Sequence, residues 1–508
     1  MNNVNPELSV KKLATGIPGF DDIALGGLPE GRAALVAGTS GSAKTVFAAQ
    51  FLAAGIMQFD QPGVFITFEE APADICKNMA SLGWDIRQWE QQGKWAFVDA
   101  SPQGDEQIVV TGSYDLGALL ARIESAVRKT GAKRVVLDSI GVILTRFPDA
   151  ALVRAEMFRI ISALKEMDSL TALITAERTE EYGEISRYGV EEFVSDNVIV
   201  MRNTLEVEIR SRTIEILKFR GAPHRKGEHP FTVVGGSGIT VIATPQSAIP
   251  IPQSTVARKT FGDADLDQMC GVGLLSDAVS VVSGAAGCGK TLFAASFIAG
   301  GIQNGERCAL FSFEESHGEL LRNARSWGLD LAAMEQQGLL KLVCINPESA
   351  GLMDHLLHIK QVIGEFRPSR MAVDSLSALE RIATVRGYCH FLHGLAALAK
   401  QREIALLFTT TAPLSGGASF TEAHISSLMD NILLLRYVEL FGEIRRGLAV
   451  LKTRGTSHDR NIREFTIDGS GLHVGRPFQN VSGILAGAPR HQAPGEMERM
   501  GGMFGNEE

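Results

Sequence analysis

GTSGSAKT, Gly38 to Thr45, and GAAGCGKT, Gly284 to Thr291, are two copies of one phosphate-binding pattern set 246 residues apart. Each follows a short apolar strand (Ala33 to Ala37; Ala278 to Ser283) and runs into an apolar helix (Val46 to Phe59; Leu292 to Ile302). A glycine-rich turn between strand and helix lets successive backbone N–H groups converge on phosphate oxygens, which the helix N-terminus also attracts. The loop residues Gly38, Thr39, Ser40, Gly41, Ser42, Ala43, Lys44 and Thr45, and Gly284, Ala285, Ala286, Gly287, Cys288, Gly289, Lys290 and Thr291, are therefore candidate ATP-binding residues. The first loop carries Ala43 where the pattern wants glycine, so its backbone there is expected in the ordinary helical region.

Further motifs recur in the same order around each loop. VFITFEE (Val64 to Glu70) matches ALFSFEE (Ala309 to Glu315), and RVVLDS (Arg134 to Ser139) matches RMAVDS (Arg370 to Ser375). Next come LTALITAE and IALLFTTT, read as strands ending in small polar residues, then ILKFRGAPH (Ile216 to His224) and VLKTRGTSH (Val450 to His458). Strands alternating with helices, polar at their carboxyl ends, predict an α/β fold. Its tandem P-loop NTPase domains would each hold a mostly parallel sheet covered by helices. Domains are expected over 1–246 and 261–480, joined by a linker at 247–260 that overlaps the proline-bearing ATPQSAIPIPQST (Ala243 to Thr255). Residues 481–508 read as a flexible tail, with periodicity fading from about Gly475.

The chain's 508 residues suit two domains of roughly 240 residues each. A formal charge of -9 gives no generally cationic surface for nucleic acid. The six cysteines (Cys76, Cys270, Cys288, Cys308, Cys344, Cys389) fall in no metal-ligand spacing. With no apolar leader before Leu35, they read as reduced thiols of a cytoplasmic protein. No stretch approaches the ~18 unbroken apolar residues of a membrane span.

Lys44 and Lys290 should reach the terminal phosphates, while Thr45 and Thr291 offer hydroxyls to Mg2+. Asp138 and Asp374, each ending an apolar strand, are the expected second Mg2+ carboxylates, a helix cap being the structural alternative. The twin acids Glu69–Glu70 and Glu314–Glu315 are candidate catalytic groups. Neighbours on a strand point to opposite faces, so one of each pair would aim at the γ-phosphate unless the strand ends there. Solvated strand-end acids are the alternative. Lys218 with Arg220, and Lys452 with Arg454, lie two apart and face one way on a strand. They could neutralise the transferring phosphoryl, from a neighbouring subunit if need be, or form an ordinary basic face.

From about residue 13 to 480 the chain resembles the KaiC family of double-domain circadian clock ATPases and autokinases, within the RecA/DnaB-like P-loop superfamily. The segments that carry the resemblance are EEYGEISRYGVEEFVSDNVIVMRN (Glu180 to Asn203), ILKFRGAPHRKGEHPF, PESAGLMDHL (Pro347 to Leu356), AHISSLMDNILLLRYVEL (Ala423 to Leu440) and LKTRGTSHDRNIREF. It implies a two-tiered homo-hexamer with ATP bound between subunits in both rings. The N-terminal ring would be a slow ATPase using Glu69 and Glu70, and would dock a KaiB-like partner. Arg212, Lys218 and Arg220 would reach the neighbour's nucleotide and Lys226 its base. The resemblance also implies His224, Trp327, Arg446 and His458 as nucleotide-binding residues.

The C-terminal ring would phosphorylate itself across the interface. Glu314 would be the base, Glu315 its companion, and Arg381, Lys452 and Arg454 the charge-stabilising partners. The acceptor pair falls on Ser426 and Ser427, where the best-known member has Ser-Thr, and Thr421 matches a nearby threonine linked to phosphate handling. The last residues show little likeness to the family's activator-binding peptide. Without the resemblance, Ser426–Ser427 would read as a cap or turn. Rival readings are a DNA-dependent RecA-like ATPase, which lacks the expected basic and aromatic stripe, and a non-catalytic nucleotide-gated scaffold.

Overall fold

The computed structural model describes residues 10–101, 116–145, 149–167, 170–185, 191–206, 209–242, 256–411, 426–479, 481–484 and 490–491. These form two compact units that part between Ala243 and Thr244. Residues 247–255 of the expected linker, Thr421 and most of the expected tail lie outside the described residues, while Arg258–Lys259 at the linker's end pairs antiparallel with Leu274–Leu275 of the second unit.

The first unit's sheet has nine strands: β1 (Ala33–Gly38), β2 (Gly63–Thr67), β3 (Trp95–Asp99), β4 (Arg134–Asp138), β5 (Thr171–Glu177), β6 (Asn197–Glu206), β7 (Ile209–Phe219), β8 (Glu228–Val234) and β9 (Gly238–Val241). Their spatial order is β3-β2-β4-β5-β1-β6-β7-β8-β9. Pairs from β3 through β6 are parallel, and β7-β8-β9 is an antiparallel extension. The second unit repeats the plan with β10 (Val279–Gly284), β11 (Cys308–Ser312), β12 (Leu340–Cys344), β13 (Arg370–Asp374), β14 (Ala405–Thr411), β15 (Asn431–Leu440), β16 (Glu443–Thr453), β17 (Arg463–Asp468) and β18 (Gly471–Pro477). Its order is β12-β11-β13-β14-β10-β15-β16-β17-β18, parallel as far as β15 and antiparallel beyond. These are tandem RecA-like P-loop NTPase folds.

Alternation along the strands covers both faces. Ala34, Val36, Phe65, Val136 and Leu173 belong to one core cluster, while their neighbours Leu35, Ile66, Leu137 and Ile174 belong to another. The helix Lys44–Phe59 is buried continuously from Phe47 to Ile56, and Lys290–Gln303 almost as fully. Both helices begin two residues earlier than their apolar pattern predicts, at the P-loop lysine, because the residue before it is left-handed and closes the turn. The acid-bearing strands end early, at Thr67 and Ser312, so Glu69, Glu70, Glu314 and Glu315 lie beyond the sheet edge and escape strict alternation. At the C-terminus, β18 continues to Pro477. Val481–Ser482 pairs with Arg490–His491 inside the stretch read as a tail.

Each central helix packs on a buried arginine at the start of a strand, and the two are satisfied differently. Arg134 donates to Gln61 Oε1 (2.9 Å) and to the carbonyls of Ala14 (2.7 Å), Thr15 (3.0 Å) and Phe51 (2.8 Å). Burial lowers its pKa to about 10. Arg370 instead forks onto Glu306 (2.7 and 3.0 Å), which also receives Lys259 and Ser369 at 2.7 Å each. Burial alone would raise the Glu306 carboxyl, but hydrogen bonds from Arg370, Lys259 and Ser369 pull it down to about 2.

Holding that carboxyl near 2 rather than 4.5 contributes roughly 3 kcal/mol. The folded pKa is depressed, so the contribution is complete above about pH 5 and disappears as the pH falls towards 2. Glu306→Gln should therefore cost about 3 kcal/mol in urea unfolding at pH 7, with the gap from the parent closing below pH 4. A pH-independent gap would refute the ion-pair account.

Candidate nucleotide-binding and phosphoryl-transfer sites

Both P-loops leave the central strand of their sheet and turn into the helix through a left-handed residue. At the second loop this is Gly289 (φ 105, ψ 20); at the first it is Ala43 (φ 67, ψ 30). The expectation of ordinary helical geometry at Ala43 is thus overturned: the turn demands positive φ, and the alanine accepts a strain of about 1–2 kcal/mol. Packing explains why a methyl fits there. A Cβ on Gly289 would lie 2.6 Å from Ile467 Cδ1. In the matching FT-x context the first unit has Val233, one carbon shorter, and Ala43 and Val233 pack on the same core.

Lys44 Nζ donates to the carbonyls of Gly38 (2.8 Å) and Thr39 (2.9 Å), and Lys290 Nζ to Ala285 (2.9 Å). Each ammonium thus lies folded along its own loop, where phosphate oxygens would compete for it. Ser42 Oγ closes the first loop on Thr39 O (2.7 Å), and Thr39 Oγ1 donates to Glu181 Oε1 (2.5 Å).

The two aspartates occupy equivalent buried positions. Thr291 Oγ1 donates to Asp374 Oδ2 (2.7 Å) and Thr409 Oγ1 to its other oxygen; Thr175 Oγ1 does the same for Asp138, with Thr45 also bonding it. Burial pushes both carboxyls up, and the threonine hydroxyls oppose the shift. Neither aspartate caps a helix. One hydroxyl and one carboxylate per pocket form a hard oxygen set that fits Mg2+, which keeps water and phosphate oxygens for its remaining ligands.

The paired acids differ between units. Ser375 Oγ donates to Glu314 Oε1 (2.7 Å), whereas the matching Ser139 hydroxyl is buried without a hydrogen-bond partner among the described residues. Burial first, then the charges of Glu177 and Asp138, push Glu69 up, with Lys44 opposing. Glu315 is raised by burial first, against a hydrogen bond from Asn323 (3.1 Å), with Asp374 and Glu319 adding to the rise. Glu70 lies 3.5 Å from Asn78 Nδ2.

Sequence reading missed Glu177 and Glu181. Strand β5 ends in a carboxylate rather than the small polar residue assigned to it, and only its counterpart β14 ends in threonines. The adjacent strand's register, Gly38 opposite Glu177, puts that acid beside the first P-loop.

The strand cations also depart from expectation. Arg220 and Arg454 sit just past their strands, which end at Phe219 and Thr453, so the same-face argument does not apply to them. All four have partners in their own chain. Lys218 donates to Glu192 O (3.1 Å) and Ser195 O (3.0 Å), and Arg220 pairs with Asp196 (3.6 Å). Lys452 donates to Ser426 O and Met429 O (2.8 Å each); Arg454 donates to Ser427 O (3.0 Å) and pairs with Asp430 (3.3 Å). Ser426 and Ser427 are exposed and lie in a helical turn.

Arg212 Nε reaches its own loop at Gly41 O (3.2 Å). Arg446 stacks at 6.0 Å on Tyr437, whose hydroxyl meets Ala286 O (3.4 Å). His224 stands edge-on to Phe219 (5.5 Å), Trp327 packs on the second core, His458 is half-buried, and Lys226 and Arg381 are exposed.

The family model described as ATPase: KaiC matches residues 13–246 and 261–478. The chain belongs to the KaiC ATPase family. It is 57% identical to the circadian clock protein KaiC3 of Synechocystis sp., over 97% of this chain and 98% of that protein. It is 50% identical to the circadian clock oscillator protein KaiC of Prochlorococcus marinus strain MIT 9313, over 95% and 96%. With that of Parasynechococcus marenigrum it shares 49%, over 97% and 96%. Membership makes the chain an ATP-hydrolysing serine/threonine autokinase and autophosphatase of circadian signalling. No helix among the described residues is long and apolar enough to cross a membrane.

The Gly289/Ile467 and Ala43/Val233 pairings make a double-mutant cycle informative. Gly289→Ala alone should cost about 2–3 kcal/mol, from left-handed strain and the Ile467 contact. Adding Ile467→Val should recover about 1 kcal/mol beyond additivity, read from urea midpoints. Strict additivity would show that the two side chains do not set the loop's shape together.

Proposed function

We propose that the KaiC-family chemistry runs at two distinct sites in a two-ring homo-hexamer, with ATP and Mg2+ held between subunits. At the first site Lys44 grips the terminal phosphates and Thr45 and Asp138 hold Mg2+. Glu69, steadied by Glu70, takes a proton from the attacking water. At the second, Lys290, Thr291 and Asp374 play the binding roles. Glu314 takes the proton of Ser426 or Ser427 as that oxygen attacks the γ-phosphorus of a neighbour's ATP and ADP departs. The metal, when bound, would withdraw charge from the phosphate oxygens. Glu315 positions Glu314, and Arg381, Lys452 and Arg454 supply positive charge to the transferring group.

The observation that carries this reading is the placement of the acceptors. Exposed Ser426 and Ser427 have their carbonyls bound by Lys452 and Arg454. The acceptor hydroxyls and the cations that would meet a neighbour's phosphates are therefore one assembly. Phosphoserine formed there stays beside ADP, so return of the phosphoryl to ADP is the dephosphorylation route. A phosphate adds about -1.5 to -2 charge at the subunit boundary, which signals to a KaiB-like partner on the first ring. Exposed Phe158 on the helix Ala150–Glu166 supports a docking role for that surface.

The test is incubation of the full chain with Mg-ATP followed by phosphopeptide mapping. Label should appear on Ser426 or Ser427 and vanish in the Ser426→Ala, Ser427→Ala double variant. Glu314→Gln should slow labelling by about a hundredfold or more without loss of bound nucleotide. Rings that fill with ATP yet acquire no phosphoserine would leave a nucleotide-gated scaffold. Stimulation by single-stranded DNA would favour the DNA-dependent motor.

A further inference from the structure

The carboxyl edges of three adjacent strands face each P-loop, and they differ at one position. In the first unit Glu69 follows β2, Asp138 ends β4 and Glu177 ends β5. In the second, Glu314 follows β11, Asp374 ends β13 and Thr411 ends β14. Registers make Glu177 and Thr411 equivalent: the one lies opposite Gly38, the other opposite Gly284, the first residue of each loop. Arg178 N closes the arrangement on Gly38 O at 3.0 Å. Of the charges acting on Lys44 and on Glu69, that of Glu177 is in each case the largest, ahead of Asp138. Glu70 and Glu181 complete the charged surroundings. The first site thus has two carboxylates, Glu69 and Glu177, free of the metal position and flanking the same lysine.

The second site replaces this by hydroxyls. Thr411 has an uncharged side chain, and its backbone N–H donates to Ser377 Oγ (2.7 Å), which also meets Thr410 Oγ1 (3.2 Å). Glu314 already accepts a hydrogen bond from Ser375. One carboxylate there remains for an incoming nucleophile.

We infer that Glu177 is a water-orienting catalytic residue which dedicates the first site to hydrolysis, and that Thr411 leaves the second open to a protein hydroxyl. This rests on the proposed role of Glu69. Water carries two O–H donors and can satisfy Glu69 and Glu177 together; a serine hydroxyl carries one. A serine oxygen in that space would leave one carboxylate unpaired and pressed against its lone pairs. Sites built to receive a donor reject a nucleophile lacking it. In the step itself, the water oxygen bonds to the γ-phosphorus while the bridging P–O bond breaks, its electron pair leaving with ADP. One water proton passes to Glu69. The other, held by Glu177 during approach, stays on the product phosphate.

The experiment uses the full chain with the second site silenced by Glu314→Gln and Glu315→Gln, and measures phosphate release and bound nucleotide. Glu177→Gln should slow release about tenfold or more with KM and nucleotide occupancy unchanged, and Glu177→Asp should restore part of the rate. In the otherwise native chain, Thr411→Glu should lower phosphoserine at 426–427 about fivefold or more and raise phosphate release. Undiminished release by Glu177→Gln, or loss of bound nucleotide in that variant, overturns the assignment. Glu69→Gln serves as the control. If it too hydrolyses at the parent rate, the proposed base is wrong. If it is slow while Glu177→Gln is not, only the present inference falls.

Discussion

A carboxylate buried behind each P-loop is the constraint on which both units turn. Asp138 and Asp374 lie deep in the sheet, where an isolated charge would be strongly disfavoured. What makes the position tolerable is hydroxyl donors from two directions: a threonine on the neighbouring strand and the threonine that follows the P-loop lysine. Those bonds tie the aspartate's strand to the next strand and to the start of the central helix. The metal position, the lysine and the paired acids consequently share one rigid frame. Burial by itself leaves each aspartate reluctant to ionise, so a cation arriving there gains more than it would at a solvated site.

On that shared frame the two units have diverged by compensated pairs. Gln61 satisfies a buried arginine through neutral acceptors where Glu306 does so through charge. Ala43 and the shorter Val233 stand where the second unit has Gly289 and Ile467. Each exchange conserves a local requirement, whether hydrogen bonding or volume, so the fold is unaffected. Glu177 against Thr411 is different in kind: it changes the charge beside the P-loop, and both Lys44 and Glu69 feel it. A difference in charge on a duplicated frame is where functional divergence is expected.

Fold class and the gathering of the candidate phosphate-site residues were legible because they depend on short-range pattern. Apolar strands, glycine turns and strand-end acids recur in order, and Lys44, Thr45, Asp138, Glu69 and their counterparts converge on those edges. What the pattern could not show were contacts set by sheet order. Glu177 is 139 residues from Gly38 in sequence yet opposite it in register, and no local spacing announces that. The conformation of Ala43 was misread because left-handed backbone was taken as closed to alanine, whereas the turn imposes it there. Arg220 and Arg454 were misread because the strands end one residue sooner than alternation assumed, freeing both to turn towards Asp196 and Asp430.

The bonds made by Lys452 bear on how acceptor and cation act together. An ammonium has three donors, and two are committed to the carbonyls of Ser426 and Met429, at the carbonyl end of the turn that bears the proposed acceptors. Positive charge at that end stabilises the turn. Burial and the adjacent Arg454 both lower the pKa of Lys452, Asp430 opposing them. One donor is left for a phosphate oxygen, and an arriving anion would favour the charged ammonium that the turn itself needs. Lys218 repeats the arrangement on Glu192 and Ser195, at the end of a turn that carries no acceptor pair. The duplicated frame therefore supplies a cation-held turn in each unit, and only the turn of the second unit carries a serine pair.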